Sequence, residues 1–185
     1  MRIEQAKKDY EIEVRWIAFP LHPETPEEGL TLEELFAGKP IDIEKVQERL
    51  RQVADELGLR LGKRKKTYNS RLAQELAKWA ESKGKGDPFH EAIFRAYFVD
   101  GVNIGKVDEL VDLAKSIDLP EKEARSILEL RAFKEPVDSD WLRSRTLGVT
   151  GVPTFFVDDR VIVGFPPYEL LEQYLEASGA KKYGP

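Results

Sequence analysis

Residues 148–159 read GVTGVPTFFVDD, and this stretch decides the fold. A short β-type run, Thr154–Val157, is entered through two glycines and a proline. Proline has no N–H to give to a ladder, so inside sheets it is confined to strand starts, edges and bulges. X–Pro bonds are also the bonds for which a cis turn is accessible. Two polar residues, Asp158 and Asp159, separate TFFV from a second apolar run, RVIV (160–163), which predicts a β-hairpin. Asp-Asp is a weaker turn signal there than Asn-Gly. Gly164-Phe165-Pro166-Pro167 then leads into YELLEQYLEASG, a helix carrying Leu170, Leu171, Tyr174 and Leu175 and ending at Gly179.

Upstream the period changes. Residues 2–9 are polar and read as the end of a helix. In EIEVRWIAF (11–19), Ile12, Val14 and Trp16 alternate with Glu11, Glu13 and Arg15, which is strand period. PLHPETPEEG (20–29) is a loop, with three prolines and a glycine. Thr31 and Glu34 have capping-box spacing and predict a short helix.

From Ile41 to about Ser144 the pattern is helical. Ile43, Val46, Leu50, Val53 and Leu57 recur at steps of three and four, as do Leu72, Leu76 and Ala80. Asp87-Pro88 reads as an N-cap with proline at the first helical position. Phe89, Ile93, Phe94, Tyr97 and Phe98 follow as one aromatic face, and Gly101 is placed to stop that helix in the left-handed conformation. Val107, Leu110, Val111, Ala114 and Ile117 predict a further helix. Pro120 opens the next, with Ala124, Ile127 and Leu128 inward, and Val137, Trp141 and Leu142 mark the last.

Composition narrows the function classes. The 185 residues carry 29 Lys and Arg against 34 Asp and Glu, a net charge of −5. No basic excess exists to displace counterions from phosphates, which argues against nucleic acid. The longest basic cluster, Lys63–Lys66, reads as a solvated loop between helices. No apolar run reaches membrane-spanning length, so no membrane partner is expected. The N-terminus has no apolar signal core. There is no cysteine, hence no disulfide, no thiolate nucleophile and no thiolate metal site. That composition fits a reducing compartment, and the expected location is the cytoplasm.

The order of helix end, strand, long helical block, hairpin and helix resembles the DsbA-like branch of the thioredoxin superfamily. More narrowly it is similar to the FrnE-type thiol–disulfide oxidoreductases and their relatives, the 2-hydroxychromene-2-carboxylate isomerases and kappa-class glutathione transferases. EVRWIAFPLHPETPEEG (13–29), FHEAIFRAYFVDGVNI (89–104), LGVTGVPTFFVDDRVIVGFPPYELL (147–171) and, more loosely, YNSRLAQELAKWA (68–80) carry the likeness. It implies an α/β, thioredoxin-like (DsbA-type) fold with a large all-helical insertion. Residues 1–30 and 145–180 would form the thioredoxin-like domain and 31–144 the insertion. It also implies a cis Val152–Pro153 bond, with the Val152 N–H and C=O facing outward to pair with an extended peptide. Gly148 and Gly151 would let that peptide approach. The expected substrate-binding residues are Gly151, Val152, Pro153 and Thr154, with His22 on the same side.

The resemblance also exposes an absence. Such proteins begin with a strand ending in Cys-x-x-Cys, or in serine for the isomerases, at a helix N-terminus that activates the thiol. This chain starts within the later part of that helix, so the first strand and the nucleophile are missing and no catalytic residue is expected. Three arrangements satisfy this: Met1 is an internal methionine of a longer protein; the missing part is removed or exchanged between chains, giving a homodimer or strand exchange; or the chain is a non-redox binding module. A glutathione-dependent isomerase or transferase is the other enzyme reading. It meets Gly164-Phe165-Pro166-Pro167 where those proteins place a Ser-Asp pair.

The remaining candidates are weak. His22 and His90 without cysteines do not make a metal site; His90, in the first turn of its helix, is expected to pack or cap. Phe94, Tyr97 and Phe98 are expected in the core, with part of that face available to line an apolar groove. Ser70, Ser139 and Ser144 have no histidine arrangement suited to a nucleophile. The G-x-x-G of GVTG precedes a strand, not a helix, so it is no phosphate loop. No cofactor is expected, and the substrate classes are an extended peptide or a small thiol or disulfide.

Overall fold

The computed structural model describes residues 2–184. In chain order the elements are α1 (Arg2–Asp9), β1 (Tyr10–Glu11), β2 (Leu30–Thr31), α2 (Leu32–Leu35), α3 (Ile43–Glu56), β3 (Lys66–Thr67), α4 (Arg71–Ser82) and α5 (Gly86–Arg95). A π turn over Ala96–Asp100 extends α5. Then come α6 (Val107–Ser116), α7 (Glu121–Glu129), α8 (Lys134–Thr146), β4 (Thr154–Val157), β5 (Arg160–Val163), α9 (Tyr168–Ala177) and β6 (Lys181–Lys182). The chain forms two compact units, residues 1–21 with 140–185, and residues 22–139.

The larger unit is helical. Ala73, Leu76, Ala77 and Ala80 line one face of α4 at steps of three and four, the stripe an amphipathic helix buries. They pack with Trp79, with Phe89 and Ile93 of α5, with Leu110, Val111 and Ala114 of α6, and with Ala124 and Leu128 of α7. A charged clip lies beside this core. Glu75 is fully buried; its carboxylate accepts from Arg71 Nε at 2.6 Å and from Arg131 Nε and Nη2 at 2.8 and 2.6 Å. Burial pushes the Glu75 carboxyl up, but the Arg131 and Arg71 guanidinium groups outweigh it and hold the group below the usual carboxylate range.

Loop 22–30 is tied to this unit by side-chain amides: Asn69 Nδ2 donates to the carbonyls of Pro23 and Thr25, and Asn103 Nδ2 to that of Glu27. β2 pairs antiparallel with β3, so Lys66, expected in a solvated loop, lies in a strand. The Thr31–Glu34 capping box forms in both directions, at 3.1 and 2.7 Å. Gly62 runs so close to the end of the π turn that a Cβ there would strike the Val99 carbonyl oxygen.

Three details of the helical block depart from expectation. α5 starts at Gly86 with Lys85 as its cap, so Pro88 is the third helical residue; the first N–H groups of a helix have no partner within it, so proline forfeits nothing there. Tyr97 packs on the core, but Phe94 and Phe98 lie at its edge, 36% and 38% exposed. Part of the apolar stripe of α3 faces out: Val46, Leu50 and Leu57 are exposed, while Ile43 and Val53 are half-buried. Gly101 does take the left-handed conformation, φ 72°.

The smaller unit has a compact core of Ala6, Tyr10, Ile162, Leu171 and Leu175. Tyr10 is buried and donates its hydroxyl to Glu172 and Glu176 at 2.9 and 3.0 Å. Burial and these two carboxylates push the phenol up to about 12. Tyr168 donates to Asp9 at 2.5 Å. The strand expected over 11–19 reduces to β1, which pairs with β6. Residues 12–16 keep the predicted alternation, with Ile12, Val14 and Trp16 half-buried and Glu13 and Arg15 exposed. A strand, however, is a ladder shared with a neighbour, and among the described residues none pairs with 12–19. The segment is held instead by its end: Ala18 N–H donates to Asp140 Oδ2, and Ser144 Oγ donates to the Ala18 carbonyl.

Candidate functional site: the 151–154 loop and the edge of β4

The hairpin forms as its sequence predicts. β4 and β5 pair antiparallel from Thr154↔Val163 to Val157↔Arg160. Asp158 takes φ 51° in the two-residue loop, the sign that tight hairpin turns need at their first position and that aspartate tolerates. Phe155, Val157 and Ile162 turn inward to the small core. Phe156, Val161 and Val163 face out, 41%, 48% and 69% exposed.

The register fixes which backbone groups are used. A two-residue loop makes its flanking pair, Val157 and Arg160, a hydrogen-bonded pair, and such pairs alternate along an antiparallel ladder. Phe155/Ile162 is the next, and Pro153/Gly164 the one after. Gly164 N–H does donate to the Pro153 carbonyl, at 2.8 Å. The reciprocal bond cannot form, because Pro153 has no N–H. Gly164 takes φ 84°, a conformation suited to glycine. Thr154 and Phe156 therefore aim their N–H and C=O groups away from β5. That edge has no partner strand among the described residues.

The loop before it continues this open row. The Val152–Pro153 peptide is cis. Val152 is 51% exposed, and neither its N–H nor its C=O enters a hydrogen bond among the described residues. Thr154 Oγ1 donates to the Gly151 carbonyl at 2.7 Å, so this hydroxyl closes the loop on itself. A Cβ on Gly151 would meet nothing within 4 Å, which leaves open space beside it. Gly148 does other work: at φ 69° it ends α8, its N–H bonded to the Arg145 carbonyl and Val149 N–H to that of Ser144. Next to Gly164, Phe165 is half-exposed beneath the Arg2 guanidinium, 3.7 Å from its ring centre, and Arg2 also donates to the Pro166 carbonyl.

Of the five residues singled out in the sequence, the structure thus brings Gly151, Val152, Pro153 and Thr154 into one loop. His22 belongs to the helical unit. There burial, then Lys39 and Arg64, lower its pKa, so the ring is neutral at pH 7. His90 packs on Phe94, ring centres 6.0 Å apart, with Nε2 3.5 Å from Glu81. Among the described residues no group of three or more His, Cys, Asp or Glu side chains is placed to hold a metal. No helix there is long and apolar enough to cross a membrane. The open edge residues Thr154 and Phe156 were not singled out as a backbone row in the sequence. Loop length and alternation were the signal that gives it.

Comparison with known proteins bears on this geometry. A family model described as DSBA-like thioredoxin domain matches residues 1–176. The uncharacterized protein YwbO of Bacillus subtilis is 28% identical over 183 residues, 97% of this chain and 88% of that protein. The crystal structure of a probable DsbA oxidoreductase from Streptomyces coelicolor superposes with a TM-score of 0.87 at 26% identity, covering 96% of this chain and 82% of that one. A 2-hydroxychromene-2-carboxylate isomerase superposes with a TM-score of 0.74 at 19% identity, covering 96% and 85%, a likeness of fold.

Proposed function

We propose, because this chain belongs to the DSBA-like thioredoxin domain family, that it is the substrate-recognition scaffold of a FrnE-type thiol–disulfide oxidoreductase. It takes an extended peptide, or a small thiol or disulfide, against Gly151–Thr154. The observation that supports this most directly is the backbone row. Val152, Thr154 and Phe156, at alternate positions, present N–H and C=O groups to no partner in the described chain. An extended peptide satisfies such a row by adding itself as a strand, the main chain supplying affinity and the side chains specificity. Val152, Phe156 and Phe165 offer apolar surface beside it.

Thiol–disulfide exchange begins with attack by a thiolate, and these 185 residues contain no cysteine. In this reading the chain binds the substrate, and the attacking sulfur comes from outside residues 1–185. The same reading places it in the cytoplasm, with the unit of residues 1–21 and 140–185 facing the substrate. The glutathione-dependent reading has less support, since Gly164-Phe165-Pro166-Pro167 carries no Ser-Asp pair.

The test is binding of a fluorescent extended peptide to the 185-residue chain. Val152→Pro removes one outward donor that no internal bond uses, and should weaken binding about fivefold or more, the worth of one hydrogen bond. Unchanged affinity, or no binding by the parent chain, would reject the reading. Insulin reduction by the pure chain should stay at background.

A further inference from the structure

One corner of the helical unit gathers positive charge and leaves it without acceptors. Leu32 N–H donates to the Lys65 carbonyl at 3.2 Å, and Gln47 Nε2 to that of Arg64 at 3.1 Å. Arg64 is therefore held beside the start of α2 and the first turns of α3, and the loop between those helices carries Lys39. His22 joins them from loop 22–30. Its carbonyl takes Thr25 N–H at 3.2 Å, and Asn69 fixes this turn through the Pro23 and Thr25 carbonyls. Lys39 and Arg64 are the charged groups that act on the His22 ring, and no carboxylate does. Elsewhere on the unit cations find acids: Lys83 pairs with Glu123, Lys106 with Glu28 and Arg125 with Asp108. Here no described residue hydrogen-bonds the half-buried His22 ring, and no carboxylate pairs with exposed Lys39 or half-buried Arg64. The same turn buries the Thr25 hydroxyl with no partner among the described residues. Like charges held together repel, and buried polar groups are ordinarily given partners. The cluster lacks acceptors, and an anion supplies them.

We propose that His22, Lys39 and Arg64 form a binding site for the phosphate group of a small solute, or for the free anion. The charges match. With His22 neutral, Lys39 and Arg64 balance a phosphate monoester, which carries a charge of about −1.5 to −2 at pH 7. The Arg64 guanidinium offers a planar fork of N–H donors, Lys39 a point charge, and the imidazole an N–H from one nitrogen. The chain's net charge of −5 opposes a polyanion, so the phosphate belongs to a small molecule rather than a nucleic acid. The three residues lie in the helical unit, and the site is independent of the docking row at β4: either stands if the other fails.

Titration of inorganic phosphate into the 185-residue chain at constant ionic strength tests this, followed by the His22 ring signals in NMR and by calorimetry. Phosphate should bind with a Kd of about 1 mM, the strength of a few charge-assisted hydrogen bonds at an open surface. It should also raise the His22 pKa, because the dianion offsets the two cations that hold it down. A parallel titration with glycerol phosphate separates the sources: tighter binding than inorganic phosphate assigns the site to a phosphorylated solute, weaker binding to the free anion. Lys39→Gln and Arg64→Gln should each weaken phosphate binding about fivefold or more with the circular dichroism unchanged. Lys39 is exposed, so its variant decides the matter should Arg64→Gln disturb the fold. Chloride producing the same His22 shift, His22 signals that ignore phosphate, or a Lys39→Gln chain that binds phosphate like the parent overturns the proposal.

Discussion

The two units satisfy their backbones in different ways. In the helical unit, backbone hydrogen bonds run mostly within helices, the short β2–β3 pair aside, and side chains close around a dry centre where Leu76, Trp79, Phe89, Leu110, Val111 and Leu128 are each under 2% exposed. Its stray loop carbonyls are answered by Asn69 and Asn103. The smaller unit has a core of few residues and strands with edges that find no partner among the described residues. The difference separates stability from recognition. A helix exhausts its own donors and acceptors, so what it offers a partner is side chains. A strand edge keeps a row of backbone groups that another chain can read.

The largest effect that tests this contrast is apolar. Trp79→Ala removes a side chain at the centre of the helical core and should cost about 4 kcal/mol, whereas Leu175→Ala in the smaller core should cost about 2–3 kcal/mol. Denaturant unfolding followed by circular dichroism measures both, and equal costs would dissolve the contrast. Next comes the charged clip. Glu75→Gln leaves Arg71 and Arg131 facing a neutral amide, and because Arg131 is partly exposed the loss should be about 2 kcal/mol. With its pKa held low in the folded chain, Glu75 stabilises above the unfolded carboxylate value. That contribution fades as pH falls through the lowered value, so the acid limb of the stability curve should flatten in the variant.

In the smaller unit the corresponding polar anchor is Tyr10. Tyr10→Phe removes the buried hydroxyl that bonds Glu172 and Glu176 and should lower the melting temperature by about 2–4 °C. Its ring signals in the parent chain should titrate near pH 12 by NMR. The smallest effect is that of His22. Its pKa is lowered in the folded chain, so the unfolded chain takes up the proton first. Stability should therefore fall slightly as pH drops below about 6.5, and His22→Gln should remove that slope. A slope of opposite sign would mean that the ring is charged in the fold.

Much of this was legible in the sequence where the signal was local. The hairpin, the Thr31 capping box, the Gly101 stop and the apolar faces of α4, α6 and α7 follow from residues within one turn or one loop. What escaped depends on distant partners. Nothing between Glu11 and Phe19 says that only the first of these residues will find a ladder, since its partner is Lys181, near the other end of the chain. The pairing of Leu30–Thr31 with Lys66–Thr67, and hence the attachment of loop 22–30 to the helical unit, was equally hidden. In α3 the period was readable, but its direction was not: which side of an amphipathic helix meets its unit is set by Gln47 and Ala54 finding partners. At the site, the 151–154 loop was visible through Gly151 and Pro153, and the open row at Thr154 and Phe156 emerges once the hairpin register is fixed.

The central claim is that the edge of β4 with Val152 is a docking row for an extended chain. Amide hydrogen exchange with and without a saturating extended peptide tests it directly. The account predicts that Val152, Thr154 and Phe156 exchange freely in the unliganded chain and slow by about tenfold or more on binding. Phe155 and Val157, already bonded to β5, should change little. Peptide binding that leaves those three amides exchanging freely, or protects another surface instead, would contradict it.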